Sequence, residues 1–161
     1  MPRVFIGLGS NLGDREAHLA GAIRALADEP GVRLIRSATV RETLPVGGPP
    51  QDPYLNTVVE VSTSLEPRQL LAALKRLERR FGRRPSSVRW GPRTLDVDLL
   101  LFGDLVIEEP GLSLPHPRLH ERPFVLEPLA ELAPDVVHPR LGRTAATLAA
   151  ACAGKAETER P

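Results

Sequence analysis

Cysteine occurs once in the 161 residues, at Cys152, which excludes an intrachain disulfide framework and a multi-cysteine zinc site. It lies in an alanine-rich segment, where a small buried hydrophobe is its ordinary role. Long apolar runs are missing as well: nowhere do the roughly 18 consecutive apolar residues of a membrane-spanning helix occur. The opening MPRVFIGLGS is too short in apolar residues for a signal peptide, so an untargeted, cytoplasmic chain away from membranes is expected. Excess charge of one sign is also lacking. Lys+Arg number 21 against 20 Asp+Glu, a net charge of +1. Such a molecule has no strong positive field for non-specific nucleic-acid binding, so no nucleic-acid partner is expected and anion recognition must be local. Lysine stands only at Lys75 and Lys155, a bias that genome composition or heat adaptation explains as readily as function. No internal repeat or low-complexity linker interrupts the chain. Its length and 42% hydrophobic content suit a single domain over 1–161, with about 154–161 as a frayed tail, and a monomer is expected.

What is present centres on Arg89 to Asp104, RWGPRTLDVDLLLFGD. The apolar run Leu99-Leu100-Leu101-Phe102, bounded by Pro92 and Gly103, reads as a largely buried strand. On a strand, residues two apart face the same way about 6.5–7 Å apart, so Asp96 and Asp98 point together while Val97 faces the other side. Paired carboxylates near a core repel each other unless protons, cations or metals compensate them. Mg²⁺ suits that task, being held by one or two carboxylates plus substrate phosphates, with Arg89 and Arg93 available for the remaining phosphate oxygens. A salt-bridged strand end, with Arg93 on Asp96 or Asp98, is the bland alternative. The RWGPR lead-in favours the metal.

Taken in order, Val4-Phe5-Ile6 and the following GLGSNLGD read as a strand, a glycine loop and a helix capped by Asp14. The spacing is wrong for a dinucleotide loop, since Leu12 stands where G-x-G-x-x-G needs glycine, and no Walker lysine follows. A tight turn and one wall of a ligand pocket both remain open. Arg15 to Ala27 has helical periodicity. Val32 to Thr43 reads as a strand entering the Pro/Gly loop that begins at Leu44, and Tyr54 to Thr63 as a β-branched strand that puts Tyr54 and Asn56 on one face. A second amphipathic helix starts near Pro67 and is buried through Leu70, Leu71, Leu74, Leu77 and Phe81. From Arg76 to Arg93 seven arginines face one acid, Glu78. The macrodipole accounts for Arg79 and Arg80 at the helix end. Arg83, Arg84, Arg89 and Arg93 flank Pro85-Ser86-Ser87, which suggests a cationic flap over a metal-bound polyphosphate, with a nucleic-acid patch as the second reading. Pro110-Gly111 marks a turn between two short strands, and His116 follows in a loop where it can cap or donate to phosphate. Arg118 to Pro134 reads as short helical turns broken at Pro123 and Pro128, and Leu141 to Ala153 as a terminal helix. The order β-α-β-β-α-β, with helices at the end, predicts an α+β sandwich: a mainly antiparallel sheet with helices on one face and extra C-terminal helices.

In its motifs the chain resembles the 6-hydroxymethyl-7,8-dihydropterin pyrophosphokinases of folate biosynthesis. The resemblance runs from GLGSNLGD through Asp52-Pro53-Tyr54-Leu55-Asn56 and RWGPRTLDVDLLLFGD to Leu114-Pro115-His116-Pro117 and Arg122-Pro123-Phe124, in the family's order. It implies a ferredoxin-like fold and transfer of pyrophosphate from ATP to the pterin hydroxymethyl group, with release of AMP. By the family's pattern Asp96 and Asp98 would hold two Mg²⁺ ions, and Arg83 and Arg93 would act in catalysis. Arg83, Arg93, His116 and Arg122 would meet ATP, Trp90 belongs to the loop closing over the site, and Glu78 and Leu99 fall where the family touches the nucleotide. Thr43, Pro45, Val46, Tyr54, Asn56 and Phe124 would form the pterin slot, its ring between Tyr54 and Phe124. Many members carry a second arginine where this chain has Pro85, so Arg84 is the candidate for that phosphate contact. Leu44 replaces a frequent proline, a change tolerated if backbone groups carry the pterin contact.

Two other functions fit the same residues less completely. A metal-dependent nucleotidyl- or phosphodiester-processing enzyme would also use D-x-D with arginines, without a pterin. A non-catalytic ferredoxin-like module binding through the basic loop would be salt-sensitive and indifferent to Mg²⁺.

Overall fold

The computed structural model describes residues 2–11, 14–43, 53–81 and 95–159, with side chains to 153. At its centre is β1 (Arg3–Ser10), buried from Val4 onward. It pairs antiparallel with β4 (Tyr54–Thr63) on one side and β5 (Asp96–Phe102) on the other. β2 (Val32–Ser37) and β3 (Arg41–Thr43) both pair antiparallel with the far edge of β4. The stretch Val32 to Thr43 is thus one interrupted strand. The interruption at 38–40 is still tied to the sheet, because the Ala38 N–H donates to the Val58 carbonyl at 2.9 Å.

The glycines of GLGSN were expected in a loop and lie instead inside β1, with Gly7 opposite Val58 and Asp98, and Gly9 opposite Asn56 and Asp96. Strand pairing on both sides keeps the backbone extended, which glycine permits although it adds nothing to pack. Helix α1 (Arg15–Ala27) follows, and the Asp14 carboxylate accepts the Ala17 N–H at 3.0 Å. Helix α2 (Pro67–Arg80) opens on proline, which has no N–H to leave unpaired, and the Gln69 side chain accepts the Glu66 N–H at 2.8 Å.

The sheet buries both faces. Val4, Ile6, Leu8, Val59, Val61, Val97 and Leu99 pack with Leu19 and Leu26 of α1 and Leu70 and Leu74 of α2. Phe5, Val58, Leu100 and Leu101 pack instead with the C-terminal helices α3 (Pro123–Leu132) and α4 (Ala145–Glu159). The extra helices therefore cover the second face, making a three-layer arrangement around an antiparallel sheet. Pro123 was read as a helix breaker but is the first residue of α3, and Pro128 lies inside that helix. A first-turn proline gives up no hydrogen bond, and buried Val125, Leu126, Leu129 and Leu132 hold the helix together past Pro128. α4 starts at Ala145 rather than Leu141, where the Thr144 hydroxyl accepts the Thr147 N–H at 3.2 Å.

β5 carries one irregularity of consequence. Phe5 opposes Leu101 and Ile6 opposes Leu99, so Leu100 is an extra residue in the strand. This bulge puts both Leu100 and Leu101 in the α3/α4 core. A hairpin of β6 (Ile107–Glu109) and β7 (Leu112–Leu114) follows, turning at Pro110-Gly111.

Candidate active site

The paired register sets the site. Asp96 and Asp98 lie opposite Gly9 and Gly7, and Asn56 lies across from Gly9 on the other strand. A Cβ on Gly7 would meet Leu100, and one on Gly9 would lie 2.7 Å from Asn56 Oδ1 and 3.6 Å from the Tyr54 ring. These contacts place Gly9, Asn56 and Tyr54 on the α3/α4 side of the sheet, the side to which the two aspartates also belong by alternation. Glycine suits position 9 because a side chain there would displace the Asn56 carboxamide. The Asn56 amide donates to the Thr43 hydroxyl, joining β4 to β3 at the same end.

The opposing wall comes from the chain after β7. His116 donates its backbone N–H to the carbonyl of the bulged residue Leu100 at 2.9 Å, which holds the His116 loop against β5. Its imidazole Nε2 lies 4.0 Å from Asp98 Oδ1, and an Arg122 guanidinium nitrogen lies 3.9 Å from Asp98 Oδ2. His116 Nδ1 accepts the Arg118 N–H at 3.2 Å, so in the neutral ring Nε2 bears the proton and faces Asp98. Burial holds this imidazole below its ordinary value; Asp98 opposes that shift, and Arg122 and Arg118 add to it. The ring is therefore a neutral donor near pH 7. Arg122 also lies over the Phe124 ring, 5.7 Å from its centroid, so the last residue before α3 and the first turn of that helix present a cation stacked on an aromatic.

Half-exposed Asp98 supplies hard oxygen donors to solvent, and its partners stand at distances that leave room between the groups. Among the described residues no cluster of three or more His, Cys, Asp or Glu could hold a metal. Two carboxylates with a shell otherwise open to phosphate and water is the arrangement Mg²⁺ favours, so the residues present fit that ion.

Asp96, Asp98, His116, Arg122, Phe124, Tyr54, Asn56 and Thr43 are thus gathered by the sheet register, the bulge and the start of α3. Leu99 instead belongs to the α1/α2 core, and Glu78 is buried, its carboxylate accepting the Val97 N–H at 2.9 Å. Pro45, Val46, Arg83, Arg84, Trp90 and Arg93 lie outside the described residues. The bland pairing of Arg93 with an aspartate is likewise outside them; Asp98 meets His116 and Arg122. The sequence left the GLGSN stretch open as one wall of a ligand pocket but singled out neither Gly9 nor the bulge at Leu100, because both are defined by a neighbouring strand. The only local signal was a pair of glycines at strand spacing.

Residues 5–134 match the family model of 7,8-dihydro-6-hydroxymethylpterin-pyrophosphokinase. A Synechocystis protein named 2-amino-4-hydroxy-6-hydroxymethyldihydropteridine pyrophosphokinase is 45% identical over 139 residues, 86% of this chain and 70% of that protein. A Bacillus subtilis protein of the same name is 46% identical over 132 residues, 82% of this chain and 78% of its own length. The crystal structure of wild-type Plasmodium falciparum HPPK-DHPS with SDX-DHP superposes with a TM-score of 0.74 at 14% identity. The match covers 99% of this chain and 45% of that one, so this chain spans less than half of that larger protein.

Proposed function

Because the chain belongs to the 7,8-dihydro-6-hydroxymethylpterin-pyrophosphokinase family, we propose that it carries the family's reaction through the site just described. It transfers pyrophosphate from ATP to the hydroxymethyl group of 6-hydroxymethyl-7,8-dihydropterin, giving the pterin diphosphate and AMP, in folate biosynthesis. The observation that carries this reading is the juxtaposition on one sheet face of a carboxylate pair, two nitrogen donors approaching it, and a glycine-bared strip beside Tyr54 and Asn56. Metal-dependent phosphodiester cleavage would need the carboxylates but not the bared strip.

Asp96 and Asp98 would hold Mg²⁺, two ions by the family's pattern. Bound there, Mg²⁺ would supply positive charge for the phosphate oxygens and acidify the attacking hydroxyl, for which no residue here is an evident base. Arg122 and the Nε2–H of His116 are directed to where phosphate oxygens would displace Asp98 as their partner. Arg83, Arg84 and Arg93 are assigned to the same polyphosphate and Trp90 to the closing loop, which keeps water from ATP. Glu78 and Leu99, which the family's pattern puts near the nucleotide, are buried on the α1/α2 side of the sheet, so any part they take there is through the β5 backbone. Tyr54 and Phe124 would enclose the pterin ring, with Asn56, Thr43 and the backbone at Pro45 and Val46 along its polar edge. Gly9 leaves the floor between them open. We assign the protein to the cytoplasm as a monomer without nucleic-acid or membrane partners. The described residues contain no helix long and apolar enough to cross a membrane.

The deciding experiment incubates the protein with ATP, Mg²⁺ and 6-hydroxymethyl-7,8-dihydropterin and identifies the nucleotide product. AMP formed in step with pterin diphosphate, and only with pterin present, is expected. ADP, or cleavage of ATP indifferent to pterin, would overturn the assignment.

A further inference from the structure

Glu78 is the single acid among the arginines of 76–93, and it is buried. Its side chain is only 4% exposed. It sits three residues before the C-cap of α2, on the face that packs with Leu74 and Leu77 against the sheet. That face is opposite to the one occupied by Asp96 and Asp98. Glu78 reaches the strand by its edge: β5 is the last strand of the sheet, and the Val97 N–H, turned away from β1, donates to Glu78 Oε1 at 2.9 Å. Lys75 Nζ stands 3.9 Å from the other oxygen.

Val97 is the residue between the two aspartates. Its amide orientation determines the local pleat, and the pleat determines whether both carboxylates project from one face. The same bond spans 19 positions of chain and fastens the end of α2 to the start of β5, the two points between which the segment 82–94 runs. An edge strand without this acceptor would carry a buried, unsatisfied N–H at the most sensitive point of the site.

We infer that Glu78 is a positioning residue of the transfer reaction, a buried acceptor that holds the Val97 amide and thereby sets the Asp96/Asp98 pair. The inference rests on the pyrophosphokinase reading for its consequence, and on the Glu78–Val97 bond for its cause. On this inference β5 requires the acceptor oxygen rather than its charge, the 3.9 Å approach of Lys75 to the other oxygen being secondary. A neutral acceptor of the same reach should serve, whereas a direct nucleotide or metal ligand would need the carboxylate.

The test compares Glu78→Gln and Glu78→Ala with the parent protein, using Mn²⁺ titration in the presence of a non-hydrolysable ATP analogue, followed by steady-state kinetics. Expected is a loss of Mn²⁺ affinity of about 10–100-fold in Glu78→Ala, as for other residues that orient metal ligands, with kcat falling and the KM for pterin little changed. Glu78→Gln should recover affinity to within about threefold of the parent, because its carboxamide oxygen can accept the same N–H. Parent-like Mn²⁺ affinity in folded Glu78→Ala would overturn the inference, as would Glu78→Gln damaged as badly as Glu78→Ala. Should Glu78→Ala fail to fold, hydrogen exchange at the Val97 amide decides: protection in the parent and in Glu78→Gln supports the inference, and free exchange in the parent overturns it. Failure of the parent itself to bind Mn²⁺ with the ATP analogue would instead sink the pyrophosphokinase reading, since amide protection reads the Glu78 contact separately.

Discussion

Asp98 is the residue on which the site's charges converge, with His116 and Arg122 each about 4 Å from one of its oxygens. Replacing it removes the proposed metal donor and leaves His116 and Arg122 without their shared carboxylate. Asp98→Ala should therefore lower pterin-dependent AMP formation on the order of a hundredfold or more while far-UV circular dichroism stays native; normal turnover in the folded variant would remove the metal role. Gly9 poses the opposite question, what the absence of a side chain does. A methyl at that position must push the Asn56 oxygen from 2.7 Å, and with it the amide that reaches Thr43. Gly9→Ala should raise the KM for pterin roughly tenfold, the worth of one disturbed hydrogen bond, with ATP-analogue binding unaltered by fluorescence titration. Both residues sit in motifs visible in the sequence, but with unequal legibility. D-x-D on a strand announces its own geometry. A glycine does not, because what it avoids is a side chain on β4 that only the strand register brings near.

At the scale of elements, the strands and helices whose periodicity is complete within one stretch were readable: α1, α2, β4 and β5 all follow from their apolar spacing. Those that depend on a neighbour were not. The strand running through Gly7 and Gly9, the interruption between β2 and β3, and the continuity of α3 past Pro128 are all enforced by tertiary contacts that override local preference. The same dependence gives β4 its pH sensitivity. Burial raises the Glu60 carboxyl, but hydrogen bonds from Arg3 on β1 and Arg36 on β2 pull it net below its ordinary 4.5. A folded value lowered in this way contributes stability that is complete above the unfolded value of 4.5 and is lost as pH falls through the folded value. Glu60→Gln should cost about 1–3 kcal/mol at pH 7 in urea denaturation, and the gap from the parent should close as pH drops below 4.5. A gap independent of pH would mean that packing, not the paired arginines, dominates at this position.

Over the whole molecule, one sheet supplies both cores, so neither helical layer has a core of its own. Leu74 on α2 and Leu126 on α3 are each buried to about 1% or less on opposite faces. Leu74→Ala and Leu126→Ala should each cost roughly 2–5 kcal/mol, and each variant should still unfold in one transition, coincident by circular dichroism and by Trp90 fluorescence. An earlier, separate melting of the α3/α4 layer in Leu126→Ala would show the faces to be independent. The centrality of β1 bears also on how the protein is made. That strand leaves the ribosome before the rest of its sheet, yet Asp96 and Asp98, its partners across Gly9 and Gly7, and then His116 and Arg122, follow only after β4 and α2. At about 5–20 residues per second, roughly ten seconds separate β1 from Arg122. A nascent chain lacking Arg122 lacks one neighbour of Asp98, so the surroundings of that carboxylate are completed together with the helices that shield the sheet.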